Sequence, residues 1–465
     1  MELSKEAILS LSHFLCLARH LVTAMVIGSL LVPPPAHAQD SGLENGGLIR
    51  DAEIERDIRV WVTPIFRAAG LDPSFVQIYL IGDPQINSFV AGGQRIFINT
   101  GLLTRSKTPN QVIGVIAHET GHIAGGHLLR MQEVLRAATV EAIAGFLIGA
   151  GAAFGGAGGS GIGAGALAGE SMAQRAIFAY SINQEARADN AALSFLDKTH
   201  QSSRGLLEFF QILSKEEGLL PGMQDPYLRT HPLTTERIDY VRQHVDASPY
   251  SNAKDPPDWV EQHARIVAKL QGFLLSPFEA LKLYPANNDS TAAHYARAIA
   301  YHRVPMEDHA LQEADILLKR EPRNAYFWEL KGQFLFESGH PVSAAPYYRR
   351  SVELANDETL LKIELAQVLL EANEDVATAK EAAGYLQEVL RHDDQNPDAW
   401  HSLGIAQGRM GEIGNASLAL AEEAILSGDN ATARSQAIRA TELLPRGSPG
   451  WLKADDIRLQ IKDNR

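Results

Sequence analysis

The stretch Thr108-Pro109-Asn110-Gln111-Val112-Ile113-Gly114-Val115-Ile116-Ala117-His118-Glu119-Thr120-Gly121-His122 decides how this 465-residue chain is read. Thr108 can cap a helix, Pro109 suits the first helical position, and Gln111 stands where it would complete a capping box. A helix is therefore predicted from Pro109 onward, with Val112, Ile113, Val115 and Ile116 as its apolar body. Four helical residues advance about 400°, so His118 and His122 share one face. Two imidazoles so placed can bind one metal ion at about 2.0–2.1 Å. Glu119 follows the first histidine directly, within reach of a water at that ion, and is the expected general base. An H-E-x-x-H in a capped apolar helix predicts one Zn2+ per chain rather than two unrelated surface histidines.

A catalytic zinc needs a third protein ligand. The metzincin pattern H-E-x-x-H-x-x-G-x-x-H has its glycine at Gly125, but Leu128 stands in the third-histidine place. His127 is one residue early and nine from His118, about 180° away on a helix. It is expected to be a polar residue at the helix end beside Gly125-Gly126, not a ligand. The gluzincin pattern instead takes a glutamate from a later helix. Ser181-Ile182-Asn183-Gln184-Glu185-Ala186-Arg187-Ala188-Asp189 fits it, with Glu185 and Asp189 four apart on one face. Glu185 is the expected third ligand. Asp189 would hydrogen-bond a ligand imidazole, orienting it and raising its basicity. The plainer alternative, a solvated acidic face paired with Arg187, loses weight once H-E-x-x-H lies upstream.

Composition bounds the rest. Acidic residues outnumber basic ones, 56 to 42, for a formal charge of -14, which argues against a nucleic-acid partner. The single cysteine, Cys16, excludes a disulfide framework and any Cys-ligated zinc or iron–sulfur site. Residues 1–38 are expected to be a cleaved signal peptide. Lys5 and Arg19 precede an apolar run from Leu21 to Val32, and Pro33-Pro34-Pro35 and an Ala36-His37-Ala38 cleavage signal follow. A cysteine-free mature chain suits an oxidising compartment such as a bacterial periplasm.

Beyond a polar, proline-bearing stretch around Tyr250–Pro257, the chain reads as helix pairs. Trp328, Gly332, Gly339, Ala344 and Tyr348 are echoed by Trp400, Leu403, Gly404, Gly411, Ala416 and Leu420. Gly428, Ala433, Ala440 and Pro445 give a third copy, and Trp451 reads as the start of another, though its distance from Trp400 is one and a half repeats. Residues 292–322 and 357–391 look like degenerate copies. This resembles the tetratricopeptide pattern of about 34 residues, in which small residues let paired helices approach and aromatics fill the gaps between pairs. It implies a concave surface for peptides or partner proteins.

Residues 142–169 carry no charge and hold 11 glycines and 9 alanines. One bilayer span here would put His118 and His122 on one side and Glu185 on the other. Glycine also costs roughly 1 kcal/mol per helical position relative to alanine. The expectation is a loop or broken helix near the cleft, acting as a lid, touching membrane or unfolded substrate, or serving as a plain linker.

The order of motifs completes the reading. Asp83-Pro84-Gln85-Ile86-Asn87-Ser88-Phe89-Val90-Ala91-Gly92-Gly93 and Arg95-Ile96-Phe97-Ile98-Asn99-Thr100-Gly101-Leu102-Leu103 precede His118–His122, Glu185–Asp189 and Thr230-His231-Pro232. In this order the chain resembles the minigluzincin metallopeptidases, related to the membrane proteases that process prenylated proteins. The signal segment and the helical repeats resemble the periplasmic members of Gram-negative bacteria. The resemblance implies an α+β zincin-type metalloprotease domain, helices with a small sheet, followed by an all-α tetratricopeptide solenoid. The expected boundaries are 39–250 for the first, 251–274 for a linker or helical connector, and 275–465 for the solenoid. It further implies that His118, His122 and Glu185 hold zinc, that Glu119 is the catalytic base, and that Asp189 is also counted as catalytic. His231 in this family can occupy the fourth metal position and hold the enzyme latent; its rival roles are hydrogen bonding to the tetrahedral intermediate or simply starting a helix before Pro232. Arg237 is a further candidate for the same site. The strand Ile96–Asn99 is expected to be the edge on which an extended substrate pairs, with Gly92-Gly93 allowing close approach. The implied partners are unfolded or misassembled outer-membrane proteins and the outer-membrane assembly machinery, with at most peripheral membrane contact. Two alternatives stay open: a chaperone-like assembly factor with a latent protease site, and a maturation peptidase with one dedicated substrate.

Overall fold

The computed structural model describes residues 47–127, 130, 182–215, 227 and 231–461. The expected signal segment with Cys16, the stretch 142–169, Ser181 and Thr230 lie outside the described residues. Among the described residues no helix is long and apolar enough to cross a membrane.

Helix α1 (Ala52–Ala68) begins under Asp51, whose side chain accepts the Ile54 N–H at 2.9 Å. Its buried positions Ile54, Ile58, Trp61, Val62, Ile65 and Phe66 recur at helical spacing and form one apolar stripe. That stripe joins the core under a four-stranded sheet of β1 (Leu48–Ile49), β2 (Gln77–Ile81), β3 (Ser88–Ala91) and β4 (Arg95–Asn99), in the order β1-β2-β4-β3. β2 and β4 run parallel; the outer pairs are antiparallel. Side chains alternate as strand geometry demands. Ile78, Leu80, Ile96 and Ile98 face the core, while half-buried Tyr79, Phe97 and Phe89 stack in a row on the other face, 5.2 and 5.1 Å between ring centres.

The sheet overturns the expected substrate edge. β4 is hydrogen-bonded on both sides, to β2 and to β3, so Ile96–Asn99 has no free edge. Gly92 and Gly93, at φ +57° and +98°, make the turn that folds β3 back onto β4. Among the described residues the open edge on this side is β3, the strand packed against the H-E-x-x-H helix.

Among the described residues five further helices surround this core: α2 (Thr100–Arg105), α3 (Pro109–Gly125), α4 (described over 182–198), α5 (Arg204–Ser214) and α6 (Thr235–Ala247). Within the connecting segment 251–274, α7 (Pro257–Leu274) places Ile266 and Leu270 in the same core and lies against α1 on one side and α9 on the other.

The remaining helices form a solenoid. A short α8 (Pro277–Leu283) leads to five pairs: α9 (Thr291–Arg303) with α10 (Glu307–Arg320), α11 (Ala325–Glu337) with α12 (Pro341–Leu354), α13 (Thr359–Ala372) with α14 (Val376–His392), α15 (Pro397–Arg409) with α16 (Ile413–Leu426), and α17 (Asn430–Leu443) with α18 (Pro449–Gln460). The first helices start at 291, 325, 359, 397 and 430, so successive starts are 34, 34, 38 and 33 residues apart. This is the tetratricopeptide period. The two degenerate stretches, 292–322 and 357–391, are the first and third pairs. Close packing explains the small residues: a Cβ on Gly332 would stand 2.7 Å from the Tyr348 ring. Trp328 and Trp400 are equivalent, each donating its indole N–H to a carbonyl six residues upstream, Pro322 and Asp394. Trp451 lies on α18, a second helix, and donates instead to Thr441. It starts no new repeat, which accounts for its half-repeat offset.

A buried ionic cluster ties the start of α1 to the solenoid. The Glu53 carboxylate accepts from Arg265 at 3.1 Å and from the Tyr295 hydroxyl at 2.7 Å. Lys269 pairs with Asp51 at 2.7 Å, and Arg56 reaches Asp357 at 2.9 Å and Glu358 ahead of α13. Ala52 is buried in the solenoid's own apolar cluster.

Candidate metal centre

Local sequence sets up the first half of the centre. The Thr108 hydroxyl accepts the Gln111 N–H, as a cap should, but Gln111 reaches back to the N–H of Lys107 rather than Thr108, so the capping box is displaced by one residue. α3 is buried from Pro109 to Gly121 and ends at Gly126, whose φ of +63° breaks the helix. The second half comes from α4, which crosses α3 at Gly121. A Cβ there would meet the Ala188 carbonyl oxygen at 2.8 Å and its Cα at 3.0 Å. Ala188 sits between Glu185 and Asp189, so the missing side chain brings both carboxylates to the histidines. Gly121→Ala is expected to push α4 off α3 by a fraction of an ångström. Misplacement on that scale costs on the order of 10²-fold in rate. Measured metal content and turnover should both fall; a fully active, fully loaded variant would disprove this account of Gly121.

The donors converge. His118 Nε2 lies 3.0 Å from His122 Nε2, 3.3 Å from Glu185 Oε2 and 3.4 Å from His231 Nδ1. Glu185 stands 3.4 Å from His122 Nε2 and 3.1 Å from His231 Nδ1. Bonds of about 2.0–2.1 Å at tetrahedral angles imply donor separations of roughly 3.3–3.4 Å. The four residues thus offer the edges of a metal-sized tetrahedron, all four donor atoms lying within 4.8 Å of one another. Two imidazoles, a carboxylate and a third imidazole suit a borderline divalent ion.

The surroundings hold these donors in place. Asp189 Oδ1 accepts from His118 Nδ1 at 2.8 Å, and both Asp189 oxygens are gripped by Arg237, at 2.7 and 2.9 Å. Arg237 Nη1 also reaches Glu185 at 3.0 Å. It arrives through α6, capped by Thr234. Burial opposes ionisation of Glu185 and Asp189, but their cationic and hydrogen-bonding neighbours outweigh it and hold both below the usual carboxylate range. Burial also drives His122 down to about 3, whereas burial of His118 is outweighed by its bonds to Asp189 and Glu185, which hold it up at about 10. Glu119 differs. It is fully buried, neither oxygen has a hydrogen-bond partner among the described residues, and burial raises its pKa. His231 Nε2 stands 3.6 Å from it.

The structure therefore brings together His118, Glu119, His122, Glu185, Asp189, His231 and Arg237. His127 is outside the donor group; it stands behind His122, with Nδ1 3.0 Å from that residue's Nδ1. Sequence reasoning passed over three contributors. Gly121 was given no role, His127 was given no contact, and Tyr227 was not considered. Tyr227 stacks on His231 at 4.5 Å between ring centres and accepts its backbone N–H at 2.8 Å. Its spacing four residues before His231 was the available signal.

A buried H-E-x-x-H helix, joined by a glutamate and an aspartate one turn apart on a crossing helix, defines a metallopeptidase centre. Residues 49–245 match the model of peptidase family M48, and the chain is a metalloprotease whose peptidase domain is followed by a tetratricopeptide solenoid. It is 24% identical to the beta-barrel assembly-enhancing protease of Yersinia pestis over 371 residues, 75% of this chain and 71% of that protein. The metalloprotease LoiP of Escherichia coli is 29% identical over 175 residues, 38% of this chain and 64% of the relative. Among solved structures, YrrB, described as a TPR protein with an unusual peptide-binding site, aligns with 43% of this chain and 98% of its own at 20% identity and a TM-score of 0.32.

Proposed function

We propose that this chain is a periplasmic zinc endopeptidase that cleaves unfolded or misassembled outer-membrane proteins. The four-donor cluster with Glu119 buried beside it carries the reading. The names of the relatives support the substrate class, and the Ala36-His37-Ala38 signal supports export. In this reading residues 39–250 are the peptidase domain, 251–274 the connector, and 275–465 the part that binds substrate or the outer-membrane assembly machinery.

His118, His122 and Glu185 hold the zinc. Bound there, zinc would act as a Lewis acid on water and on the scissile carbonyl. Glu119 takes the proton of the attacking water and passes it to the leaving amine; its desolvated carboxylate is the stronger base for it. Asp189 does not touch the reacting atoms in this scheme, since His118 and Arg237 occupy both its oxygens. It orients the His118 ring. The substrate lies extended on the open edge of β3, pairing through its backbone. His231 takes the position that a working zinc must leave open, so the arrangement is a resting state that substrate or a partner displaces.

The test is cleavage of an unfolded outer-membrane β-barrel polypeptide by zinc-loaded wild type and His231→Ala. Chelator-sensitive cleavage is expected, several-fold faster in His231→Ala, with the folded barrel left intact. No cleavage by either protein would refute the protease assignment for this substrate class. Unchanged or slower cleavage by His231→Ala would refute the plug.

A further inference from the structure

His118 and His122 are both buried imidazoles that must present Nε2 to one ion, yet they are held from behind in different ways. His118 has the carboxylate of Asp189 on its Nδ1 at 2.8 Å. His122 has His127, Nδ1 to Nδ1, at 3.0 Å, with ring centres 5.0 Å apart and planes at 85°. This edge-on approach points one nitrogen of His127 along the His122 ring plane, where a hydrogen bond forms.

Several features of the fold produce this contact. Gly126 turns the chain left-handed after α3, so His127 doubles back along the helix instead of continuing on its far side. Gly125 leaves the space: a Cβ there would overlap the His127 ring, 2.2 Å from its Nε2. His127 is 6% exposed and lines, with Gly121, Ala124, Arg130 and Arg187, a cleft of about 330 Å³. The helical-wheel argument that removed His127 as a ligand fails to describe its position, because the residue is not on the wheel.

We infer that His127 is a positioning residue for the metal centre: a neutral imidazole whose Nδ1 accepts the Nδ1–H of His122, fixing the tautomer and ring angle that aim His122 Nε2 at the ion. The inference rests on the reading of His118, His122 and Glu185 as zinc ligands. The chemistry follows from the tautomers. A histidine bound through Nε2 carries its proton on Nδ1 and must donate it. His127 then keeps its own proton on Nε2, the atom that lies over Gly125. Partners in this outer position are worth 10–100-fold in metal affinity in other proteins.

The experiment measures zinc affinity of the full chain by competition with a chelator. His127→Phe keeps a ring against Gly125 but has no acceptor, and should bind zinc about 10–100-fold more weakly. His127→Gln restores an acceptor and should stay close to wild type. Wild-type affinity in His127→Phe would overturn the proposal, and so would an equal loss in both variants. Thermal unfolding of the zinc-free proteins checks folding. If His127→Phe does not fold, His127→Ala against His127→Gln decides by the same criterion. His122→Ala is run alongside: if it binds zinc like wild type, the ligand set itself is wrong, a failure distinct from that of His127.

Discussion

Glu119→Gln is expected to load zinc like the wild type and to cleave unfolded outer-membrane protein about 10²–10⁴-fold more slowly, the usual worth of general acid–base catalysis. The amide copies the carboxylate in shape, so the buried α3–α4 crossing is undisturbed. It cannot take a proton. Among the described residues no other carboxylate is placed to substitute, since the Asp189 oxygens are engaged by His118 and Arg237 and those of Glu185 face the donor cluster. The measurement is initial cleavage rate together with bound zinc, so that loss of metal is not mistaken for loss of base. Near-wild-type turnover in the loaded variant would remove Glu119 from the mechanism. The same variant separates the protease from the chaperone-like assembly factor: if the solenoid does the cellular work, Glu119→Gln supports outer-membrane assembly as well as wild type. Substrates held by the inactive enzyme would identify themselves in periplasmic and outer-membrane fractions.

Arg265→Ala is expected to lower stability by about 3–5 kcal/mol, the cost of breaking a buried ion pair from one side. Arg265 faces Glu53 at 3.1 Å and Asp57 at 3.9 Å, all three side chains nearly sealed from water. Without the guanidinium, Glu53 keeps the Tyr295 hydroxyl and a 3.6 Å contact with Lys269, but loses its strongest partner. At about 2–4 °C per kcal/mol for a unit of 150–250 residues, the melting temperature should fall by on the order of 10 °C. A fall of only 1–2 °C would mean the cluster is solvated in solution. Burial, reinforced by Glu53, pushes Asp57 up to about 8, above its unfolded value near 3.8. A carboxyl raised in the folded state contributes stability that is present at low pH and lost as pH rises through the folded pKa. Stability should therefore decline between about pH 4 and pH 8, and Asp57→Asn should flatten that decline. Because this cluster joins α1 to α7 and α9, the same measurement reports whether peptidase and solenoid unfold as one unit.

Much of the centre was legible because its rules are local. Two histidines four apart on a helix share a face whatever surrounds them, and Glu185 with Asp189 obeys the same spacing. The repeat period was legible for a similar reason: each helix pair contacts mainly its neighbours, so small and aromatic residues recur in register. Failures occurred where a position depends on how elements cross. Ile96–Asn99 looked like an edge because strand alternation does not reveal how many neighbours a strand has; the turn at Gly92-Gly93 and the parallel pairing with β2 put it inside. Trp451 looked like a repeat start because composition does not distinguish first from second helices.

By itself, then, the sequence determined the kinds of element, the His118/His122 and Glu185/Asp189 pairs and the solenoid period, all consequences of covalent spacing within single helices. Tertiary structure alone decided three things. The absent side chain of Gly121 lets α4 deliver Glu185 and Asp189 to α3. The left-handed turn at Gly126 puts His127 behind His122. The start of α1 is buried among the charges of α7 and the solenoid. Each depends on the separation of segments distant in sequence or on a chain reversal, and no residue spacing records those distances.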